Sequence, residues 1–596
     1  MQLTEPHGLP VLDENNQQQR VVAICWLVAI ALGGLYAWNA HYYAVDSDGI
    51  NYLDMGEAYL RGDWHMAINA LWSPFYSWLL GLAMWILTPP PAGELSVVYL
   101  VNFLAYVGAL GSFQFFLHQL IRYHRDRLAG QAGDHPVIFP TWAWLMLGYT
   151  LFVWTSLDLI TIWSPSPDMC VAAFVYLASG FILRIRRGFV RWPTCVLLGV
   201  VLGFGYLAKA FMFLMAFIFL GISMVSLGNR RRAVLGGLIA WLTFVAISGP
   251  FIIALSRAKG FLTFSLAGTL NYAWHVNGTT PFVHWEGEPP GSGTPRHPTR
   301  KIFDVPAIYE FGTPIGGTYP AWYDPTYWYD GVLLHGALKE QIRVLVGNIS
   351  TYAQLSAPLQ SSLLVGLLVL VIMDGAPWEL MKHLAEQWSL LTPAIAAMGL
   401  YALIHVEARY VGPFLVLFWM GLASSIRLAD SPGVRRLVAC VSMAMLVVPL
   451  LTIVASTVGT AHSAVSRTID EQVLADDLWS ALVHRQVAEG LHQLGVQPGD
   501  TIATIGSAFS AYWARLARIQ IVAELPEDEQ GFWDAAPFMH SRIIKAFADT
   551  GVKAIVAQTA PGYASTIGWQ RLGNTRYYAY LLPAVEESES ISSLQE

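Results

Sequence analysis

Long apolar stretches, separated by short polar or basic segments, run from residue 21 to about residue 460. A transmembrane helix needs roughly 20 apolar residues, so these stretches are predicted to be spans. They cover residues 21–38, 96–121, 140–162, 168–186, 193–227, 233–255, 359–373, 386–404, 410–428 and 434–456. The run 193–227 is too long for one helix and is predicted to form two spans that turn near Gly203–Lys209. The pattern therefore predicts a polytopic α-helical membrane protein with about eleven transmembrane helices.

Arginine clusters orient these spans, because basic residues collect on the cytoplasmic side of a membrane. The clusters are Arg122/Arg125/Arg127, Arg184/Arg186/Arg187/Arg191, Arg230/Arg231/Arg232 and Arg427/Arg435/Arg436. Between two clusters on one side the chain must cross an even number of times. The Trp- and Tyr-rich segment 72–88 is therefore predicted to be a helix that lies on or dips into the outer leaflet instead of crossing. The same parity places the acidic loop 39–95 and the long loop 257–358 outside.

The residues after about position 460 no longer follow the span pattern. Short β-like runs occur at 500–506, 552–558 and 576–582, between stretches of helical character. We therefore predict a cytoplasmic tail over 1–20, a transmembrane domain over 21–460 and a small soluble α/β domain over 461–596, which is extracytoplasmic.

Composition narrows the class of protein. Only 13% of the 596 residues are charged, whereas globular domains carry about 25%. The net charge of −7 and the lack of a basic stripe argue against a nucleic-acid partner. The four cysteines lie far apart in apolar segments, so neither a disulfide framework nor a zinc site is predicted.

The first outer loop concentrates acidic residues in an otherwise apolar half of the protein. Asp46, Asp48, Asp54, Glu57 and Asp63 all lie between positions 45 and 80. Asp46 and Asp48 form an acid-x-acid pair that can hold a divalent cation such as Mg²⁺ or Mn²⁺, or supply a general base. Solvated loop carboxylates without a chemical role are the alternative.

Further ionisable residues are predicted at span ends on the same outer side, where such groups are costly and often functional. Asp168 opens a span and can be a helix cap or a site residue. Lys209 interrupts an apolar run and can reach the lipid headgroups or bind a lipid phosphate. Glu407 and Arg409 can pair with each other, but a guanidinium also binds phosphate through two parallel hydrogen bonds. His405 has no partner at metal-ligand spacing and is predicted to be structural.

The order of these features resembles the glycosyltransferase C superfamily, and within it the bacterial relatives of aminoarabinose transferases and protein O-mannosyltransferases. The motifs are the Asp-x-x-x-Tyr of Asp48–Tyr52, RGDW at Arg61–Trp64, WSPFYSWLLG, Pro167-Asp168, GYLAKA with Lys209, and Glu407-x-Arg409-Tyr410. They form an ordered set over about residues 20 to 430. The chain departs from the family pattern at Asp46-Ser-Asp48, where the family often has Asp-Glu, at Ser73-Pro74, where two prolines are common, and after Lys209, where a glycine is frequent.

The resemblance implies a membrane glycosyltransferase, either a hexosyl- or a pentosyltransferase, that acts with inversion in the cell (inner) membrane. Its donor would be a sugar linked to polyprenyl phosphate, its acceptor a hydroxyl of a lipid, glycan or protein, and its surroundings membrane lipids. The resemblance implies Asp48 as the base, Asp46 as the alternative base, Arg409 and Lys209 as ligands of the donor phosphate, and Asp168, Glu407, Tyr52, Arg61 and Tyr410 as supporting residues. No cofactor is expected, with a divalent metal on Asp46 and Asp48 as the alternative.

Two other classes of protein stay open. A transporter should place acidic residues within its spans and have repeat-like halves, and a non-catalytic lipid-binding protein could keep the same fold. In an enzyme, Asp48 and Arg409 would flank one anomeric carbon, so we expect their charged tips to face one cavity within roughly 15 Å of each other. Lys209 and Asp168 should line or adjoin that cavity, which should open to lipid and to water.

Overall fold

The computed structural model describes residues 14–129, 136–137, 141–188, 192–227, 229–281, 284–356, 377–426, 428–429 and 479–583, and the single positions 436, 451 and 455. The predicted span 359–373, nearly all of the predicted span 434–456 and most of the predicted tail 1–20 lie outside these residues. So do Arg191, Arg427 and Arg435 of the basic clusters.

The apolar stretches that the structure describes lie in helices, and further helices lie between and after them. Up to residue 275 these are α1 (Glu14–Ala40), α2 (Ser47–Arg61), α3 (Trp64–Ala67), α4 (Pro74–Leu87), α5 (Glu94–Ala129), α6 (Thr141–Trp154), α7 (Asp168–Arg186), α8 (Trp192–Ala208), α9 (Phe211–Ser226), α10 (Arg230–Lys259) and α11 (Ala267–His275). The later helices are α12 (Pro320–Tyr323), α13 (Pro325–Trp328), α14 (Leu338–Ser356), α15 (Pro377–Glu386), α16 (Trp388–Ala402), α17 (Ala408–Ala423), α18 (Ala481–Gln493), α19 (Tyr512–Leu516), α20 (Glu529–Trp533) and α21 (Pro537–Ala548). A π-helical turn, Thr155–Ile160, extends α6.

Several of these helices have the length and composition of membrane spans. Within the described ranges they are Gln18–Ala40, Pro91–Arg127, Thr141–Ile160, Asp168–Arg186 and Arg231–Lys259, and the apolar helices α4, α8, α9, α16 and α17 are shorter. The predicted division of 193–227 is confirmed, with the break at Lys209 and Ala210. The chain is a polytopic helical membrane protein, and the number of spans stays a prediction.

The acidic loop folds into α2, which packs closely along α4. A Cβ atom at Gly56 of α2 would lie 2.8 Å from the carbonyl oxygen of Ser77 in α4, so glycine permits the close crossing. Helix α2 ends at Gly62, which has the left-handed φ of 69° that favours glycine. Helix α4 is the predicted helix over 72–88, and its location at the outer surface stays a prediction. Because α4 also contacts α5 and α8, α2 is held against the bundle.

The predicted C-terminal α/β fold is confirmed, but its sheet also includes part of the long loop. The strands are β2 (Arg300–Phe303), β3 (Ile308–Glu310), β5 (Thr501–Ile505), β6 (Gln520–Leu525), β7 (Ala554–Ala557), β8 (Gln570–Arg571) and β9 (Tyr578–Leu581), in the order β2-β3-β6-β5-β7-β9-β8. Strand β5 runs parallel to β6 and β7, and the other pairs are antiparallel. A separate pair joins β1 (Pro136–Val137) to β4 (Leu428–Ala429). Strands β2 and β3 were not predicted because runs of three or four residues carry little periodicity.

Candidate active site

One cavity of about 390 Å³ lies where α2, α7, α17 and the α8–α9 break meet. Its ionisable lining residues are Asp48, Asp168, Lys209, His405, Arg409, Tyr52, Tyr401 and Tyr410. Its apolar wall includes Leu71, Phe211, Leu214, Phe264, Leu400 and Ile404. Leu214, one residue of this wall, is 44% exposed.

Local chain geometry delivers each charged residue to the cavity. Asp48 and Asp168 stand in the first turns of α2 and α7, and Arg409 stands in the first turn of α17. Lys209 occupies the break between α8 and α9. Unpaired N–H groups give helix N-termini a partial positive charge that stabilises nearby carboxylates. Residues from distant parts of the sequence therefore meet at one polar end of the cavity.

The charged groups form one connected network. The Nε atom of Arg409 donates to Oε2 of Glu407 at 2.6 Å and lies 3.8 Å from Oδ2 of Asp168, while Nη2 lies 3.5 Å from Oδ2 of Asp48. Lys209 donates from Nζ to Oδ1 of Asp168 at 2.6 Å. Among the described residues, the hydrogen bond from Nε to Glu407 is the only one that the Arg409 guanidinium donates. The guanidinium therefore keeps hydrogen-bonding capacity for a ligand.

Asp168 and Lys209 were each predicted with two alternatives, and their contacts bear on both. Asp168 is 3% exposed, and the N-cap position of α7 belongs to Pro167, which makes no side-chain capping bond. The carboxylate of Asp168 instead binds Lys209 and lies near Arg409. The ammonium of Lys209 also lies 3.4 Å from the centre of the Tyr410 ring, a favourable cation–π position. Both residues are thus part of the ionic network.

Asp48 is held from two directions. Its Oδ1 atom accepts a hydrogen bond from Nε1 of Trp322 at 3.1 Å, and its Oδ2 atom faces Arg409. Burial raises the pKa of Asp48 above its usual range, while Arg409 and the Trp322 hydrogen bond act in the opposite direction. For Glu407, burial alone would raise the pKa, but His405 and Arg409 outweigh it and lower the pKa to about 2. Glu407 is therefore an anionic anchor for the Arg409 guanidinium.

Asp46, Arg61 and Glu407 are the predicted site residues that do not line the cavity. Glu407 contacts the lining residues Arg409 and His405, whereas the other two make other contacts. Asp46 is the N-cap of α2, where its Oδ1 atom accepts from the backbone N–H of Gly49 at 2.9 Å. Arg61 lies at the other end of α2, is 64% exposed and pairs with Glu57. Thirteen residues of helix separate Arg61 from Asp48, or roughly 20 Å at 1.5 Å per residue. Asp48 and Arg61 are close in sequence, but they lie at opposite ends of α2, so Arg61 is far from the site.

The sequence patterns did not predict a role in the site for two residues, Trp322 and His405. Trp322 belongs to the long loop, whose richness in Trp and Tyr is too general a signal to single it out. His405 lines the cavity and lies 3.3 Å from Glu407. Its ring stacks on that of His275, with the centroids 4.0 Å apart and the planes at 2°. A pairing between residues 130 positions apart has no local sequence signature.

A metal centre was the alternative use of Asp46 and Asp48. Across the described ranges, no group of three or more His, Cys, Asp and Glu side chains converges in a way that could hold a metal ion. One carboxylate of the pair caps a helix and the other faces a guanidinium. Neither arrangement resembles an oxygen cage for Mg²⁺ or Mn²⁺.

The fold and the cavity define a polytopic membrane protein with an ionic site at one end of its helical bundle. No family model matches the chain, and no curated protein matches it.

Among solved structures, the chain is similar to the oligosaccharyltransferase of Archaeoglobus fulgidus in complex with Zn and sulfate, at 12% identity over 90% of this chain and 68% of that one, with a TM-score of 0.49. It is also similar to ArnT from Cupriavidus metallidurans, in the apo state at 13% identity over 94% and 98% of the chains with a TM-score of 0.38. The similarity to ArnT bound to undecaprenyl phosphate has 14% identity over 94% of this chain and 97% of that one, with a TM-score of 0.36. Both proteins are members of the glycosyltransferase C superfamily, which the sequence resembles. These likenesses are too weak to assign an activity to this chain.

Proposed function

We propose that this protein is a membrane glycosyltransferase that moves a sugar from a polyprenyl-phosphate donor to an acceptor hydroxyl, with inversion. The observation that supports it best is the single cavity that joins a carboxylate, Asp48, and two cations, Lys209 and Arg409, to an apolar wall. An acceptor hydroxyl needs a base, a departing phosphate needs positive charge, and an isoprenoid tail needs an apolar surface.

Arg409 and Lys209 are the proposed ligands of the donor phosphate. Among the described residues, Arg409 donates one hydrogen bond, from Nε, so N–H groups of its guanidinium remain for a ligand, and Lys209 has further N–H groups beyond the one given to Asp168. The Nη2–Oδ2 separation of 3.5 Å between Arg409 and Asp48 exceeds the roughly 2.7–2.9 Å of a strong charged hydrogen bond. A phosphate can therefore replace Asp48 beside Arg409, while Glu407 and Asp168 keep the guanidinium in place.

The proposed reaction keeps the charge of the site constant. The acceptor oxygen bonds to the anomeric carbon as the bond from that carbon to the phosphate oxygen breaks. Asp48 takes the acceptor proton and becomes neutral, while the leaving polyprenyl phosphate gains one negative charge. Because proton transfer and departure offset each other, Lys209 and Arg409 need only stabilise charge that moves within the cavity.

We place the cavity on the extracytoplasmic side. In α7, Asp168 begins the helix and Arg184 and Arg186 end it. In the α8–α9 pair, Lys209 lies at the turn, while α8 begins directly after Arg191 in the sequence and α9 ends shortly before Arg230. Basic residues and site residues therefore occupy opposite ends of these helices, which supports this orientation. A lipid carrier suits a site outside the cytoplasm, where nucleotide sugars are not expected.

The proposal is tested by assaying purified protein in lipid nanodiscs. Radiolabelled sugars linked to polyprenyl phosphate are supplied with lipid, glycan and protein acceptors, and the label is followed from donor to acceptor. Label transfer that depends on the protein supports the enzyme. Donor binding without transfer to any acceptor would favour the lipid-binding alternative, and movement of the intact donor across a sealed vesicle would favour a transporter.

Transfer is expected to persist in the presence of a chelator. Lys209 and Arg409 already supply positive charge where the phosphate would leave, so EDTA should lower the rate less than about twofold, far below the roughly 100-fold typical of losing an essential electrostatic group. The measurement compares the transfer rate before and after EDTA treatment, with and without added Mg²⁺ or Mn²⁺. Loss of activity that either metal restores would instead support a cation on Asp48.

A further inference from the structure

We propose that Trp322 is a positioning residue for the base, an inference that rests on the glycosyltransferase function proposed above. Its indole Nε1 donates to Oδ1 of Asp48 at 3.1 Å. Asp48 lines the cavity and Trp322 is not among the lining residues. The indole therefore contacts the carboxylate of Asp48 without lining the cavity.

The hydrogen bond fixes which carboxylate oxygen is available for chemistry. With Oδ1 engaged by Trp322, Oδ2 is the oxygen that faces Arg409, at 3.5 Å. A carboxylate free to rotate would exchange its two oxygens and lose the orientation that proton transfer requires. Oδ2 of Asp48 is therefore the atom that takes the acceptor proton.

The backbone of Trp322 is tied to the same helix as Asp48. Its carbonyl oxygen accepts a hydrogen bond from Nδ2 of Asn51 at 2.8 Å, and both groups are buried. Asn51 lies one helical turn after Asp48 on α2. The indole and the carboxylate are therefore fixed to one another through two contacts on a single helix face.

Aromatic neighbours from three segments hold the indole in place. Trp322 is 6% exposed. It stacks on Trp274 at a centroid distance of 5.7 Å and makes edge contacts with Trp72 at 6.2 Å and Phe509 at 4.8 Å. Phe509 belongs to the C-terminal α/β domain, and its backbone carbonyl accepts a hydrogen bond from the hydroxyl of Ser47, next to Asp48. The long loop and the α/β domain thereby contribute to the orientation of the base.

The test replaces Trp322 by Phe, which keeps an aromatic ring and removes the N–H donor. We expect kcat to fall about tenfold, as for one hydrogen bond to a charged group, with little change in the KM for the donor. Asp48 must be deprotonated to accept a proton, so activity falls as the pH drops below its pKa. Loss of the donor raises that pKa, because the hydrogen bond stabilises the anion, and the acid limb of the pH–rate profile should move to higher pH.

Trp274→Phe is the matched control, since it alters the same aromatic cluster and leaves the Trp322 N–H in place. The control should leave the position of the acid limb unchanged. A direct readout is the infrared carbonyl band of protonated Asp48, identified as the band that Asp48→Asn removes. In Trp322→Phe this band should titrate at a higher pH than in the wild type.

Equal losses in Trp322→Phe and Trp274→Phe, with no shift of the acid limb or of the infrared titration, would overturn the positioning role. If Trp322→Phe does not fold, benzothienylalanine at position 322 keeps the shape of the indole and removes only the N–H group, and the same two readouts decide. A wild-type protein without transfer activity would overturn the proposed function. The infrared titration would in that case still support or overturn the hydrogen bond by itself.

Discussion

Replacing Asp48 by Asn is expected to lower the transfer rate by at least ~100-fold, the lower end of the range for loss of a general base. The amide keeps nearly the same volume and can no longer take the acceptor proton. In the wild type, Nε1 of Trp322 donates a hydrogen bond to Oδ1 of Asp48 at 3.1 Å. The side-chain oxygen of the Asn variant can still accept this bond. Thermal stability should therefore change little, and donor binding should persist. The measurement pairs a transfer assay with thermal unfolding of the same preparation.

Asp46→Asn is the matched control, two positions away. Asp46 caps α2 through the N–H of Gly49, and Asn is as good an N-cap as Asp. Burial and the charge of Asp48 raise the pKa of Asp46, so an uncharged amide suits this position. We expect Asp46→Asn to retain most of the activity. An inactive Asp46→Asn beside an active Asp48→Asn would exchange the two assignments, and activity in both variants would contradict the mechanism.

The grouping of Asp168, Lys209 and Arg409 could be predicted from the sequence because span parity is a global constraint. Counting crossings between basic clusters places Asp168, Lys209 and Arg409 on one side, and the structure brings all three to one cavity with Asp48. Their separation in sequence does not matter for this argument. A charged residue at the end of a span is conspicuous, because the apolar residues around it offer no other reason for its presence.

The resemblance favoured Asp48 over Asp46, but the rest of the arrangement around Asp48 needed information that the sequence does not contain. Distinguishing Asp46 from Asp48 requires the first residue of α2, since a shift of one or two positions exchanges the cap and the site residue. Excluding Arg61 requires the length and direction of that helix. Trp322 meets Asp48 across 274 positions, and strand β3 pairs with β6, where Tyr309 lies opposite Glu524. Such pairings follow from tertiary packing and leave no local period.

The second large effect is expected on stability, at the contact between α2 and the C-terminal domain. Arg515 of α19 is 2% exposed and binds three carboxylates: it pairs with Asp54, donates to Glu57 at 2.6 Å, and binds Glu94 through Nη2 at 2.8 Å and Nε at 2.9 Å. Arg515→Met keeps much of the side-chain length and removes the charge. Breaking a buried ionic network by removing one partner typically costs about 3–5 kcal/mol, because the opposite charges stay buried without compensation. We expect Arg515→Met to lower the free energy of unfolding by an amount in that range, as measured by thermal or chemical unfolding.

Arg518 provides the matched control, since it binds the same two glutamates from a position that is 40% exposed. Water and salt screen such a pair, so Arg518→Met should cost no more than about 1 kcal/mol. If uncompensated charge is the cause, Glu94→Gln should reduce the penalty of Arg515→Met when the two changes are combined, because fewer buried anions are then left unpaired. Equal costs for the two arginine variants would mean that the cluster behaves as a solvated surface network. Because Asp54 and Glu57 share α2 with Asp48, a loosened Arg515 contact should also lower transfer, which couples the docking of the α/β domain to the orientation of the base.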